Sequence, residues 1–351
     1  MEKILSKDPI LEKIVNGTAS DEVLELFVGK NLPLREEEYL EGLIILINNS
    51  KFGEKASNCF KELNSSVKLG YVTKKEANHN VVRHILADAL DINEPEIVFE
   101  VINNQSLPGD LLKKIGEQGS LNMLEVLVEN QIKMIAYPEI MEAAENNENA
   151  NGYVKGKINE IREFYLSDNE VELISEDDVL EDLKDIMSSL EMSDILRDVD
   201  GGETIEDMIV EEKALTALQK INNLKLPQKV RLALEGNKTE RMILLRDPSK
   251  VIVKAVLDSP KISESEILIF LNIKSIDKEF IEKIAKNKEW TRKYPIVLGL
   301  VKNPKSPVSQ TMSMVKKLHI RDLKILAKDR NANPVIRKFA FNLMQQRDGV
   351  K

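Results

Sequence analysis

The sequence predicts an all-α chain, an α-solenoid of stacked helical hairpins in two blocks joined by an acidic segment. Three observations predict it. Apolar residues make up 42% of the 351 residues but aromatics only 5%. Leu, Ile, Val and Ala therefore carry the packing, a balance that suits helical layers better than strands rich in aromatic and β-branched residues. One phrase then recurs along the chain: an apolar helix end, an Asn or Ser, a short turn that usually holds Pro, and a new helix. Between these stops the apolar residues keep a helical period, as at Ile281, Ile284 and Ala285, or Leu323, Ile325 and Leu326.

The elements follow in order. In the N-terminal half the phrase is weak at Gly29-Lys30-Asn31-Leu32-Pro33-Leu34, strong from Val101 to Pro108 (VINNQSLP) and weak again at Val128-Glu129-Asn130-Gln131-Ile132. Gln105 and Gln131 lie 26 residues apart, with helical pieces expected from Asp110 to Glu117 and from Asn122 to Glu129. In the C-terminal half it stands from Val256 to Ser263 (VLDSPKIS) and from Leu300 to Pro307 (LVKNPKSP). Asn stops a helix at little cost because it tolerates turn conformations, and Pro cannot continue the preceding helix. Ser263 followed by Glu266 has the spacing of a capping box, which starts the next helix. Shorter turns at Asp247-Pro248-Ser249, Asn287-Lys288-Glu289 and from Arg330 to Pro334 split each hairpin. Ser259 and Asn303 are 44 residues apart, and Leu245, Ala285 and Leu326 are 40 and 41 apart. That spacing predicts HEAT-like helix pairs in the C-terminal half. The 26-residue spacing predicts shorter units in the N-terminal half, like the helical leucine-rich-repeat variant. Each such unit leaves an apolar face that only a neighbour can bury.

The segments 229–238 (KVRLALEGNK), 241–248 (RMILLRDP), 287–294 (NKEWTRKY), 300–307 (LVKNPKSP) and 321–331 (RDLKILAKDRN) resemble a group of uncharacterised bacterial HEAT-like repeat proteins. So do 124–131 (LEVLVENQ) and the Pro138-Glu139-Ile140 that follows. The likeness covers most of the chain outside 168–212. It departs from the repeat pattern at Asn287, which no Pro follows, and at Asn130, which Gln follows. The resemblance implies a fold and no reaction.

Charge divides the chain. Residues 1–167 hold 18 Lys/Arg and 28 Asp/Glu, residues 168–212 hold 2 and 18, and residues 213–351 hold 30 and 13. The net values are −10, −16 and +17. These limits define an acidic N-terminal repeat domain (1–167), an acidic linker (168–212) and a basic C-terminal repeat domain (213–351). Within the linker, Val179, Leu180, Leu183, Ile186, Met187 and Leu190 form one apolar face of an amphipathic helix near 177–192. Asp177, Asp178, Glu181, Asp182 and Asp185 fill its other side.

No catalytic constellation is present in the sequence. His79 and His84 are five residues apart, off the i,i+4 spacing of a helical metal pair, and His319 is remote from both. No metalloprotease, phosphate-loop or dinucleotide-binding motif occurs. Gly201-Gly202 lies among carboxylates that would repel phosphate and reads as a hinge. The only cysteine, Cys59, excludes a disulfide framework and reads as a small core residue. The longest apolar runs, such as Leu43 to Ile47, are too short to cross a bilayer, and Met1-Glu2-Lys3 leads into a polar stretch with no apolar signal core. The expectation is a cytoplasmic, non-catalytic scaffold or adaptor without a cofactor.

The candidate binding residues are the cations of the basic half and its one aromatic cluster: Lys229, Arg231, Lys238, Arg241, Arg246, Trp290, Arg292, Lys293, Tyr294, Lys302, Lys305, Lys317, Arg321 and Arg330. Repeats align equivalent positions, so these cations could form a ridge for an anionic partner. Trp290 and Tyr294, four residues apart, would share one helix face as packing residues or as an aromatic anchor. A protein partner fits best, the chain's own acidic segment 175–192 among them. Nucleic-acid phosphate is the alternative, with no base-stacking aromatic set to support it.

Overall fold

Short helices need help to persist, because one of about ten residues is marginal in water on its own. The computed structural model describes residues 8–166, 174, 216–273 and 276–348, and there many helices are held at an end by side chains of the chain itself. Every regular element among the described residues is helical. The amphipathic segment near 177–192 and Gly201-Gly202 lie outside the described residues. The chain divides into two compact units, Met1–Val171 with Lys225–Arg231, and Glu172–Leu224 with Leu232–Lys351.

The helix starts are written in the side chains. Asp8, Ser20, Asn64, Asn78, Asn130, Asn151 and Asn237 each accept a hydrogen bond from a backbone N–H in the first turn of the helix that follows. Pro9, Pro95, Pro138 and Pro295 stand in the first turn, where a missing N–H costs nothing. The expected capping box is formed: the Glu266 N–H donates to Ser263 Oγ (3.4 Å), and the Ser263 N–H donates to Glu266 Oε2 (2.8 Å).

In the first unit helices start at Glu36, Ser65, Pro95, Leu121 and Gly152, and between them at Gly53, His79, Gly109 and Pro138. In the second they start at Lys238, Glu264, Tyr294 and Ile320, and between them at Lys250, Lys278, Val308 and Pro334. Apart from the short Gln131–Ala136 helix, alternate helices from Pro9 onward begin 26–32 residues apart in the first unit, and those named in the second begin 26–30 apart. This corrects the expectation of two repeat lengths. The 44 residues from Ser259 to Asn303 enclose three helices, Glu264–Asn272, Lys278–Lys286 and Tyr294–Lys302. The stop after Asn272 contains no Pro, so the phrase is muted there and the interval looks like one long pair.

Helices pack on near neighbours in sequence: every substantial helix–helix contact among the described residues joins elements no more than three helices apart. The interior is aliphatic, with Leu40, Leu43, Ile85, Leu124, Ile140, Ile252, Ile281, Leu300 and Leu326 at 2% exposure or less. Small residues set the closest approaches. A Cβ on Gly116 would lie 3.1 Å from the Ala143 Cβ, so the Gly109–Gln118 and Pro138–Glu145 helices meet nearly backbone to backbone.

Polar rungs join several helix pairs to the one before. The Asn104 amide donates to the carbonyls of Val72 (2.6 Å) and Lys74 (3.1 Å), and Asn130 to Ile102 (3.0 Å). Asn147 donates to Gly116 (2.8 Å) and Gly119 (3.2 Å), and Asn303 to Leu271 (2.7 Å). The Ser259 hydroxyl donates to Leu234 (2.8 Å). Each of these bridges 25–32 residues. The other half of each asparagine holds the turn ahead, as when the N–H of Ser106, Asn149 or Lys305 donates to Asn104, Asn147 or Asn303 Oδ1. The recurring Asn or Ser therefore ends one helix and satisfies the free carbonyls of another.

Candidate interaction surface

Of the fourteen residues singled out in the sequence, two are interior. Lys229 is fully buried, and Arg241 is 4% exposed. Arg241 pairs bidentately with buried Glu266 (Nε to Oε1 2.8 Å, Nη2 to Oε2 3.0 Å). It also donates to the carbonyls of Gly236 (2.7 Å) and Lys261 (3.2 Å). These two positions correct the expectation that they belong to a surface ridge. Three others are largely committed to the fold. Half-buried Arg246 donates to the Met242 carbonyl (2.6 Å), and Lys305 reaches back to the Ile276 carbonyl (2.5 Å). Lys261 and buried Lys133 do the same at the carbonyls of Glu235 (2.5 Å) and Leu107 (2.9 Å). Met242 and Glu235 stand at the C-terminal ends of their helices, where the carbonyls carry the negative end of the helix dipole and favour a cation.

The third is Tyr294, and its position corrects the shared face with Trp290. Trp290 lies in a 3-10 turn, Trp290–Arg292, whereas Tyr294 opens the Tyr294–Lys302 helix. Pro295 cannot sit inside a continuous helix, so the chain breaks at Lys293, which is extended (φ −84°, ψ 119°). The Tyr294 hydroxyl donates to the Asp322 carboxylate and accepts from the His319 N–H (3.1 Å), and its ring lies 4.6 Å from the His319 ring. Burial and the hydrogen bond to Asp322 push its phenol above the ordinary value.

The remaining candidates reach solvent to differing degrees. Arg231 stands with its guanidinium 5.0 Å from the Tyr137 ring centroid, within the first unit. Exposed Lys238 donates to the Ser265 hydroxyl (3.1 Å), exposed Lys293 lies 3.8 Å from Glu264, Arg292 is exposed and Lys302 half-buried. Lys317, Arg321 and Arg330 are exposed and cluster around the Ile320–Leu326 helix with exposed Lys316, Lys324 and Lys328. Arg321 and Lys324 lie three residues apart on one face of that helix, while Lys317 stands in the turn before the extended His319 and Lys328 in the turn that follows the helix. The one acid of the Ile320–Leu326 helix, Asp322, is engaged by Tyr294, and among the described residues Lys317, Arg321, Lys328 and Arg330 have no carboxylate partner. Ile325, expected in the apolar stripe, is instead 46% exposed beside these cations, while Leu323 and Leu326 are buried.

Sequence reasoning missed two buried polar sites. In the first unit a cleft of ≈ 420 Å³ is bordered by Arg35, Glu38, Glu41, Tyr71 and Lys74. The fully buried Tyr71 hydroxyl donates to Glu41 (2.6 Å); burial and this bond hold the phenol far above its ordinary value. Its signal in the sequence was only an acid inside an apolar helix. In the second unit Asn222 holds Ile174, and nothing in the spacing marked that pair. Cys59 is half-buried, its thiol 3.5 Å from the Val28 carbonyl. No helix among the described residues is long and apolar enough to cross a membrane. Compared with known proteins, the chain matches no family model, and no curated protein or solved structure matches it.

Proposed function

We propose that the chain is a non-catalytic scaffold, an α-solenoid with HEAT-like character working in the reducing cytoplasm, and that it binds a protein partner bearing carboxylates. The observation that carries this reading is the group of exposed cations on and beside the Ile320–Leu326 helix, Lys317, Arg321, Lys324 and Lys328, with exposed Ile325 among them. A local excess of exposed cations raises the concentration of an anionic partner nearby, and an exposed aliphatic residue among them adds an apolar contact. Sequence-near packing and the Asn rungs support the solenoid part, since a repeat array contacts only its neighbours.

The test compares the full chain with a variant carrying Lys317→Glu, Arg321→Glu, Lys324→Glu and Lys328→Glu. Proteins retained from a lysate of the source organism are identified by mass spectrometry at low and high salt, with and without nuclease. The expected result is a defined protein set that is held at low salt, released at high salt, insensitive to nuclease and lost in the variant. Retention unchanged in the variant contradicts the reading. Loss on nuclease treatment transfers the surface to nucleic acid.

A further inference from the structure

Ile174 is 4% exposed and is held by Asn222, the last of the helical residues 216–222. Its N–H donates to Asn222 Oδ1 (3.2 Å), and its carbonyl accepts from Asn222 Nδ2 (3.1 Å). An amide side chain that uses its acceptor and its donor on the backbone of one residue fixes both position and direction of the chain there. Described structure resumes at Thr216 of that helix, after the 41 residues 175–215.

A groove of ≈ 580 Å³ opens on that helix. Ala217, Ile221, Leu224 and Leu232 supply its apolar lining, with Lys220 and Glu240 at its edge. The Glu240 carboxylate accepts the Asn237 N–H (2.7 Å), so its charge serves a helix N-terminus. Lys220 is the cation of the groove.

The chain leaving Ile174 meets its first apolar helical position at Val179, five residues on and so no more than about 17 Å away when extended. From Val179 to Leu190 the sequence repeats an apolar face backed by carboxylates. We propose that the segment 175–192 is the occupant of this groove, recognised through the apolar residues that recur in its sequence from Val179 to Leu190. The tether makes the event intramolecular, so a modest apolar contact suffices. The groove is separate from the cation group, and the two proposals fail independently.

Hydrogen exchange of the full chain, read by mass spectrometry, tests it. Amides of 179–190 are expected to exchange at least about tenfold more slowly than in a free peptide. Leu183→Asp with Ile186→Asp, and separately Leu224→Asp, are expected to abolish that protection, and the first pair to speed exchange of 217–224. A cysteine pair Leu183→Cys with Leu224→Cys, in a Cys59→Ser background, is expected to give an intramolecular disulfide. Exchange of 179–190 at free-peptide rates overturns the proposal. So does protection that survives Leu224→Asp, or a disulfide found only between two copies. The Glu variant at 317, 321, 324 and 328 is expected to leave this protection unchanged.

Discussion

Arg241 and Glu266 are 4% and 1% exposed and face each other from neighbouring helices. Burial alone pushes the Glu266 carboxyl up, but hydrogen bonds from Arg241 and from Ser263, together with the Arg241 charge, leave it below the ordinary carboxylate value. A carboxyl with a depressed folded pKa contributes stability that is complete above its unfolded pKa of about 4.3 and is lost as pH falls through the folded value. Chemical denaturation from pH 6 down to pH 3 should show that loss, and Glu266→Gln should flatten it. Glu266→Ala should cost about 3–5 kcal/mol by stranding the guanidinium, and Arg241→Met with Glu266→Leu distinctly less. Glycines give a second contrast. A Cβ on Gly42 would lie 2.3 Å from the Phe27 ring and 3.1 Å from Leu11, whereas one on Gly156 meets nothing within 4 Å. Thermal melts should show Gly42→Ala destabilising by about 1–3 kcal/mol and Gly156→Ala stabilising by about 0.5–1 kcal/mol.

Helix ends are the element-scale device. Asn130→Ala or Asn303→Ala removes a donor from the carbonyl of Ile102 or Leu271, and each should cost about 1–3 kcal/mol in urea denaturation. The two should add, because their sites lie in different units. How legible these elements were depended on where the signal lay. Asn-Pro and Ser-Pro stops are local chemistry, and the helices expected over 110–117 and 122–129 form at Gly109–Gln118 and Leu121–Glu129. The number of helices between two such stops was not legible, because Asn272 ends its helix without a Pro. Burial of a charge was also invisible. Lys229 and Arg241 read as surface cations, and only the packed structure brings the Arg241 guanidinium to Glu266, 25 residues on.

At the scale of the whole molecule, the charge division of the sequence becomes a division of roles. In the basic half, Lys261, Lys305, Arg246 and Arg347 satisfy backbone carbonyls of the fold, and Lys317, Arg321 and Lys328 remain toward solvent without a carboxylate partner among the described residues. The composition announced the excess of cations but not which of them the fold consumes. The helix pairs of this chain are stitched to their sequence neighbours, and native-state hydrogen exchange of Asn303→Ala tests that most directly. Acceleration should be greatest in Glu264–Asn272 and Tyr294–Lys302, which the rung joins, and should fade toward Lys238–Leu244. Equal acceleration through all helices of the second unit would contradict a neighbour-to-neighbour array and point to one globally cooperative core.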